Sequence, residues 1–394
     1  MRLHDKKLKT YNAAFQPADE VLLLQSGEAY FTQLLNAIHN ARSTIHFHCY
    51  IFDPDDTGTE VATALLLAAS RGVMVSVVID GYGSGKFPED WIINWTTRGI
   101  KVHRFSKISL FKNLNLGRRL HHKVIVIDDT TSFVGGINIA DKYRGSSSEI
   151  PWLDFAIKVS GNACRSIRKI CDQIEERSFP VFNELPAIKY QGQNTPQINI
   201  RQNDWLRNKR QIYFSYLMAF QKAEHYITLF ASYFLPGRKL MKAIEKASKR
   251  GVKIRLVLAG KSDIPIFLNA SLYFYQWLLR NKVELYEWNH SVMHAKLALV
   301  DDQWMTVGSF NLNHLSTYAS IELNVDVLYP GFTKECSIRL NQLIENSCDK
   351  IEMKHSTGFI RKLAEYFAYL AGRSLIQLIT FFPGFRKNNR RAFD

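Results

Sequence analysis

The pattern His-x-Lys-x4-Asp occurs twice in the 394 residues, as His121, Lys123, Asp128 and as His294, Lys296, Asp301. Each copy is followed at the same distance by Gly-x-x-Asn: Gly135-Gly136-Ile137-Asn138 and Gly308-Ser309-Phe310-Asn311. By background residue usage the first part alone arises about once in ten thousand positions, so two copies with a shared tail mark a duplication. The residue types also name a chemistry. A neutral imidazole is a nucleophile for phosphorus. A second imidazolium protonates the departing alcohol and then takes the proton of the incoming one. Lys123 and Lys296 bring positive charge to a phosphate, and Asn138, Asn311 and the Ser309 hydroxyl add donors to the same clamp.

Four apolar residues follow each lysine, Val124 to Ile127 and Leu297 to Val300, which places both motifs on buried strands. Side chains alternate along a strand, so His121 shares a face with Lys123 and His294 with Lys296. A lysine aimed into packed interior needs an anion, and a phosphate supplies one. Each imidazole also needs an acceptor on its second nitrogen to set the tautomer. Asp154, in Trp152-Leu-Asp-Phe-Ala-Ile-Lys, and Glu322, in Ser320-Ile-Glu-Leu-Asn-Val-Asp, open apolar strands downstream of the two motifs and are the expected histidine-orienting groups. Ordinary strand-end charges are the alternative for both.

The elements that carry the motifs also repeat. Ile45-His-Phe-His-Cys-Tyr-Ile-Phe-Asp-Pro54 matches Ile227-Thr-Leu-Phe-Ala-Ser-Tyr-Phe-Leu-Pro236. Helical stretches follow at 59–70 and 238–249, each closed by Arg-Gly-Val (71–73 and 250–252), where the glycine is the expected C-terminal cap. Strands follow at 73–79 and 252–258; Lys253 and Arg255 alternate on one face of the second, which is expected to meet solvent. Strand, helix, strand at this spacing predicts βαβ units in a parallel or mixed sheet. The expected organisation is an N-terminal half over 1–180, a linker over 181–204, a C-terminal half over 205–354 opening with a helix near Trp205, and a tail over 355–394.

Composition sets the outer limits. A hydrophobic fraction of 46% with 22% charged residues is that of a folded chain and excludes a disordered one. The net charge of +15 suits nucleic acid, an anionic membrane or an anionic small substrate. Five cysteines, none in Cys-x-x-Cys spacing, argue against a zinc site and a disulfide framework. No signal peptide and no apolar run of about 20 residues is expected. Gly81-Tyr-Gly-Ser-Gly-Lys86 is not a nucleotide loop, because Asp80 and Phe87 stand where the motif needs Gly and Ser/Thr. It reads as a strand-end loop. A basic, apolar segment (Arg104, Phe105, Lys107, Leu110, Phe111, Lys112, Arg118, Arg119) precedes the first motif, as either a lipid-binding segment or a solvated loop. The tail from Gly358 to Asp394 is aromatic-rich, interrupted by Glu365 and Arg373 and closed by Arg386-Lys387 and Arg390-Arg391. That composition suits a membrane interface, with a helix docked on the core as the alternative.

These residues resemble the phospholipase D superfamily, and within it the short bacterial cardiolipin synthases that lack N-terminal membrane spans. The likeness runs from Val21 to Ile351. It rests on Asp80-Gly-Tyr-Gly-Ser84, Arg119-Leu-His-His-Lys-Val-Ile-Val-Ile-Asp128, Phe133-Val-Gly-Gly-Ile-Asn138, Ser232-Tyr-Phe-Leu-Pro-Gly237, Met293-His-Ala-Lys296 and Thr306-Val-Gly-Ser-Phe-Asn-Leu312. The resemblance implies a duplicated α/β phospholipase D-like fold, two βαβ-rich lobes with mixed sheets about a pseudo-twofold axis. It implies a phosphatidyl-histidine intermediate, no metal and no cofactor, with His121 as nucleophile and His294 as general acid/base; Asp128 and Asp301 are counted with the catalytic set. The implied reaction passes phosphatidyl from phosphatidylglycerol to a phospholipid hydroxyl at an anionic membrane surface, peripherally, on the cytoplasmic side of a bacterial inner membrane. Nucleic acid is not the favoured partner. The rivals are hydrolysis to phosphatidic acid, a nucleic-acid phosphodiesterase, and an inactive membrane scaffold, the last opposed by two complete motifs. His122, where relatives often carry arginine, and Asn313-His314, in place of Asp-Pro, depart from the pattern.

Overall fold

The computed structural model describes residues 15–106, 119–176, 195–204, 209–313 and 320–352, with Ser316 and Leu370. Strands β1 (Gln16–Pro17), β2 (Glu20–Gln25), β3 (Thr44–Cys49), β4 (Met74–Asp80), β5 (Lys101–Phe105), β6 (Arg119–Leu120), β7 (Lys123–Ile127), β8 (Thr131–Gly135) and β9 (Phe155–Ser160) precede residue 180. Helices Glu28–His39, Asp56–Ser70, Glu89–Thr97 and Cys164–Glu175 lie among and after them. Beyond it come β10 (Gln197–Asp204), β11 (Lys209–Arg210), β12 (Tyr226–Ala231), β13 (Lys253–Ala259), β14 (Glu284–Trp288), β15 (Lys296–Val300), β16 (Trp304–Gly308), β17 (Ser320–Leu328) and β18 (Asp349–Ile351). Helices Gln211–Lys222, Arg238–Lys249 and Pro330–Ser347 accompany these.

Two mixed sheets result, and their orders repeat. One runs β2-β9-β8-β7-β3-β4-β5, the other β10-β17-β16-β15-β12-β13-β14, extended by β1 beside β10 and β18 beside β14. In each, a helical crossover joins a parallel pair, β3 with β4 and β12 with β13, and the motif strand lies antiparallel against the first member. Gly72 and Gly251 follow the crossover helices at φ +89° and +92°. That left-handed conformation costs a side chain energy, which is why the same glycine closes both helices. Lys253 is exposed and Arg255 half-buried, so the predicted face of β13 does reach solvent.

Alternation along the motif strands divides the interior into layers. Val124, Val126, Leu297 and Leu299 face a central core between the sheets, where Phe155 meets Phe230 at 5.7 Å between ring centroids. Ile125 and Ile127 face the outer helices of the first half, Ala298 and Val300 those of the second. The helices Cys164–Glu175 and Pro330–Ser347 turn their buried faces to this same central core.

The linker expected over 181–204 holds a strand at its end. Gln197–Asp204 is an inner strand, antiparallel to β17 from Gln197–Leu328 to Asn203–Glu322. Its alternation was hidden because its buried positions are polar: Asn199, Arg201 and Asn203 are all buried, and Arg201 Nε donates to Asp326 Oδ2 at 2.8 Å. A buried ion pair replaces the apolar contacts by which strands are recognised. Trp205, Lys107 to Arg118 and the tail lie outside the described residues, apart from Leu370. Among the described residues the helix that opens the second half is Gln211–Lys222. Cys49, Cys164, Cys171 and Cys336 are buried thiols, and Cys348 is half-buried.

Candidate active site

The two halves meet at the motifs, and each lends its acceptor to the other. β6, which delivers His121, pairs in parallel with the start of β17, Arg119 with Ser320 and Leu120 with Ile321. The matching bridge joins Leu153 to Met293, one residue before Asp154 and His294. His121 Nδ1 therefore faces Glu322 Oε2 at 2.9 Å, and His294 Nδ1 faces Asp154 Oδ2 at 2.6 Å. The acceptors are those expected from sequence, but each dyad crosses between halves. Holding Nδ1–H on the carboxylate leaves Nε2 of each ring as the reactive nitrogen.

Lys123 Nζ donates to His121 O at 2.5 Å, and Lys296 Nζ donates to His294 O and lies 3.7 Å from Asp154 Oδ2. Burial pushes both ammonium groups down to about 8. Burial also lowers the His121 imidazole, with the charges of Lys123 and Lys296 adding to it and Glu322 opposing. His294 is lowered further by burial and by both lysines. Burial raises Asp154 to about 6, against the pull of Lys296. Lysines of both halves thus act on histidines of both halves, the electrostatic signature of one shared site. The field is positive and desolvated, and an arriving phosphodiester would relieve it.

The remaining expected residues divide. Asn138 is buried, with Oδ1 accepting from Ile51 N at 3.0 Å and Nδ2 donating to Tyr143 OH at 2.8 Å. Tyr143 OH in turn lies 3.4 Å from His294 Nδ1. Asn311 Oδ1 accepts from Ser232 Oγ at 2.8 Å, which fixes which end of the amide donates. Ser309 Oγ donates to Glu322 Oε2 at 2.5 Å, so it serves the acceptor of His121. Its hydroxyl proton is thus taken up by Glu322 in the arrangement observed. At the matching position Gly136 has no side chain because Asp154 oxygens would lie 2.3 Å from a Cβ there.

Asp128 and Asp301, counted from sequence with the catalytic set, sit at the far ends of their strands. Asp128 accepts from the backbone N–H of Arg42, Ser43 and Thr44 at 2.7–3.0 Å, and Asp301 from those of Glu224, His225 and Tyr226 at 2.7–2.9 Å. Both have φ near +52°, in the turn to the next strand. They pin the start of β3 and β12 against the motif hairpin and reach neither histidine. Five strand residues at about 3.3 Å each separate the two ends.

Sequence reasoning missed several supports. Tyr50 packs against His121 with centroids 4.7 Å apart and ring planes tilted by 60°, and Lys123 Nζ lies 5.0 Å from the tyrosine ring centre. Asp80 accepts from Leu120 N at 2.9 Å and from Tyr82 N and Gly83 N, so the strand-end loop braces the segment bearing His121. Among the basic residues before the motif, Arg119 lies 3.8 Å from Asp80, and Arg104 pairs with Glu89. The repeat Ile45-His-Phe-His was the available signal for a further cluster: His46 and His48 both contact Glu175 Oε1, at 2.9 and 3.0 Å.

A duplicated mixed α/β fold with two crossed His–carboxylate dyads and paired lysines defines the phospholipase D superfamily. Residues 34–158 and 216–344 match the family described as "Cardiolipin synthase, PLD-like domain", and the chain belongs to that family. It is 29% identical to cardiolipin synthase B of Escherichia coli strain K12 over 349 residues, 86% of this chain and 84% of that one. It is also 29% identical to a cardiolipin synthase of Alkalihalophilus pseudofirmus over 317 residues, 78% of this chain and 62% of the relative. Among solved structures, phosphatidylserine synthase of Haemophilus influenzae Rd KW20 shares the fold with a TM-score of 0.74 at 15% identity, covering 95% of this chain and 99% of that one. Among the described residues, no helix is long and apolar enough to cross a membrane.

Proposed function

We propose that this cardiolipin synthase-like phosphatidyltransferase takes phosphatidyl from phosphatidylglycerol and passes it to a hydroxyl of a second phospholipid, releasing glycerol. The observation that carries the reading is the pair of crossed dyads, which present two reactive Nε2 atoms beside two buried lysines. In the first step the His121 Nε2 lone pair forms a bond to phosphorus. The bond from phosphorus to the glycerol oxygen breaks, and His294, taken to the imidazolium as the bound phosphodiester's negative charge offsets the two lysines, gives its Nε2 proton to that oxygen. In the second step the acceptor hydroxyl loses its proton to His294 Nε2, its oxygen bonds to phosphorus, and the bond to His121 breaks. Protons balance over the cycle. Lys123 and Lys296 bring positive charge, and Asn311 an amide donor, to the non-bridging oxygens, the charge stabilisation that a metal supplies in other phosphoryl transfers. The basic net charge and the aromatic, basic tail support peripheral docking on an anionic membrane, on its cytoplasmic side.

The test is a product assay with purified protein and phosphatidylglycerol in mixed micelles with EDTA, read by lipid mass spectrometry. Cardiolipin with free glycerol is the expected result. Phosphatidic acid without cardiolipin would make the protein a hydrolase. No lipid turnover would overturn the reading and move a nucleic-acid phosphodiester to the front.

A further inference from the structure

His122 has no part in the chemistry above, yet it is buried between the sheets at the end of a hydrogen-bonded chain. Its backbone N–H shares Ile321 O with that of His121, both at 3.0 Å, so its position is tied to the residue before Glu322. Its Nε2 lies 3.1 Å from His48 Nδ1, with the two rings stacked 5.3 Å apart. His48 Nε2 lies 3.0 Å from Glu175 Oε1, and the same oxygen meets His46 Nδ1. Glu175, held below its usual range by those two histidines despite burial, is an acceptor only. His48 Nε2 must therefore carry the proton. Burial keeps His48 neutral, so its Nδ1 is an acceptor and His122 Nε2 is the donor. His122 is itself kept neutral by burial, which leaves its Nδ1 a bare acceptor.

Among the described residues, that Nδ1 has no protein partner, and neither has Glu322 Oε1, the oxygen not used by His121 and Ser309. Both residues line one small pocket with about 10 Å³ of room, together with Ile170, Ile174, Ile321, Leu323, Gln202 and Asp204. That is the room of one water. Two buried acceptors on residues that line one such space call for a molecule with two hydrogens to give.

We propose that this cavity holds a single ordered water that donates one hydrogen to His122 Nδ1 and the other to Glu322 Oε1, making His122 a positioning residue for His121. The chain Glu175–His48–His122–water then saturates the second oxygen of Glu322 and keeps the first on His121 Nδ1. The other charged groups facing the chain are Lys123, beside His122 in sequence; Asp204, from β10; and Asp172, 3.9 Å from His46. None of them takes the place of a donor to Glu322 Oε1.

The inference rests on His121 and Glu322 being the working dyad, so its test needs no substrate. Full-length protein labelled at histidine nitrogen and carbon is titrated by NMR, as wild type, His122→Phe and His122→Asn. The wild-type His122 should be the Nε2–H tautomer, with Nδ1 unprotonated and hydrogen-bonded. In His122→Phe, Glu322 loses a donor, its charge is less compensated, and the His121 imidazole should titrate about half a pH unit or more higher. His122→Asn places an acceptor near Nδ1 and should restore most of the wild-type value. A merely structural role would lower activity without moving that titration. An unmoved His121 titration in a folded His122→Phe protein, or a protonated Nδ1 on wild-type His122, would overturn the proposal. Should His122→Phe fail to fold, the wild-type tautomer decides alone, as would a crystal structure showing a side chain in the cavity. Failure of lipid transfer with these NMR results intact would count against the proposed function only.

Discussion

Replacing Lys123 by methionine should end turnover and make the protein more stable. The ammonium is buried, and burial lowers it from 10.5 to about 8. At about 1.4 kcal/mol per pH unit, holding it charged costs the fold about 3 kcal/mol at pH 7. Methionine fills nearly the same stem volume and keeps its packing. It forfeits the bond to His121 O and the contact with the Tyr50 ring, together about 1–2 kcal/mol. A net gain of about 1–2 kcal/mol remains. The sign with pH follows from a lowered lysine. Its stability contribution is whole above pH 10.5, where both states are neutral, and is lost as pH falls through about 8. The Lys123→Met advantage should therefore be full below pH 8 and shrink between 8 and 10.5. Thermal melts of both proteins across that range read it directly. Phosphate should raise the wild-type melting temperature more than that of the variant, because the anion binds the lysine. A Lys123→Met protein less stable than wild type at pH 7, or an advantage that does not fade with alkali, would refute the claim that the lysine is held against a desolvation cost.

The free-enzyme pH profile of kcat/KM should be bell-shaped, with an acid limb near 6 from Asp154 and an alkaline limb near 8 from the two lysines. Asp154 is raised, so its stability contribution is full below its ordinary carboxylate range and lost as pH rises through about 6; activity and stability then respond oppositely there. Asp154→Asn should lower kcat by about 10²–10⁴ and abolish the acid limb, and a profile that keeps that limb would dissociate it from this carboxylate. His294→Ala should still accumulate a phosphohistidine on rapid quench, whereas His121→Ala should show none; the reverse would exchange their roles. Asp128→Ala should cost about 1.5–3 kcal/mol of stability, seen in denaturant melts, while kcat stays within about twofold, since its carboxylate holds the 42–44 backbone and the Ser43 hydroxyl, away from both histidines.

The chemistry was legible in the sequence because the local rules it needs are short-range. Alternation alone puts His121 with Lys123 and His294 with Lys296, and a duplicated motif implies a duplicated sheet. Helix ends marked by Gly72 and Gly251 were visible for the same reason, as a left-handed residue is a local requirement. Three matters were decided by tertiary structure. Which carboxylate serves which histidine depends on β6 docking against β17 and on Leu153 meeting Met293, contacts between residues 140 to 201 positions apart that no periodicity records. The placement of Asp128 and Asp301 depends on direction along the strand, since motif membership carries no statement about which end faces the substrate. β10 was read as a connection because its buried side chains are satisfied by partners across the sheet, as Arg201 is by Asp326. Spacing within a segment encodes which side chains share a face. Partners from another segment, and the cavity they enclose around His122 and Glu322, exist only once the two halves have folded against each other.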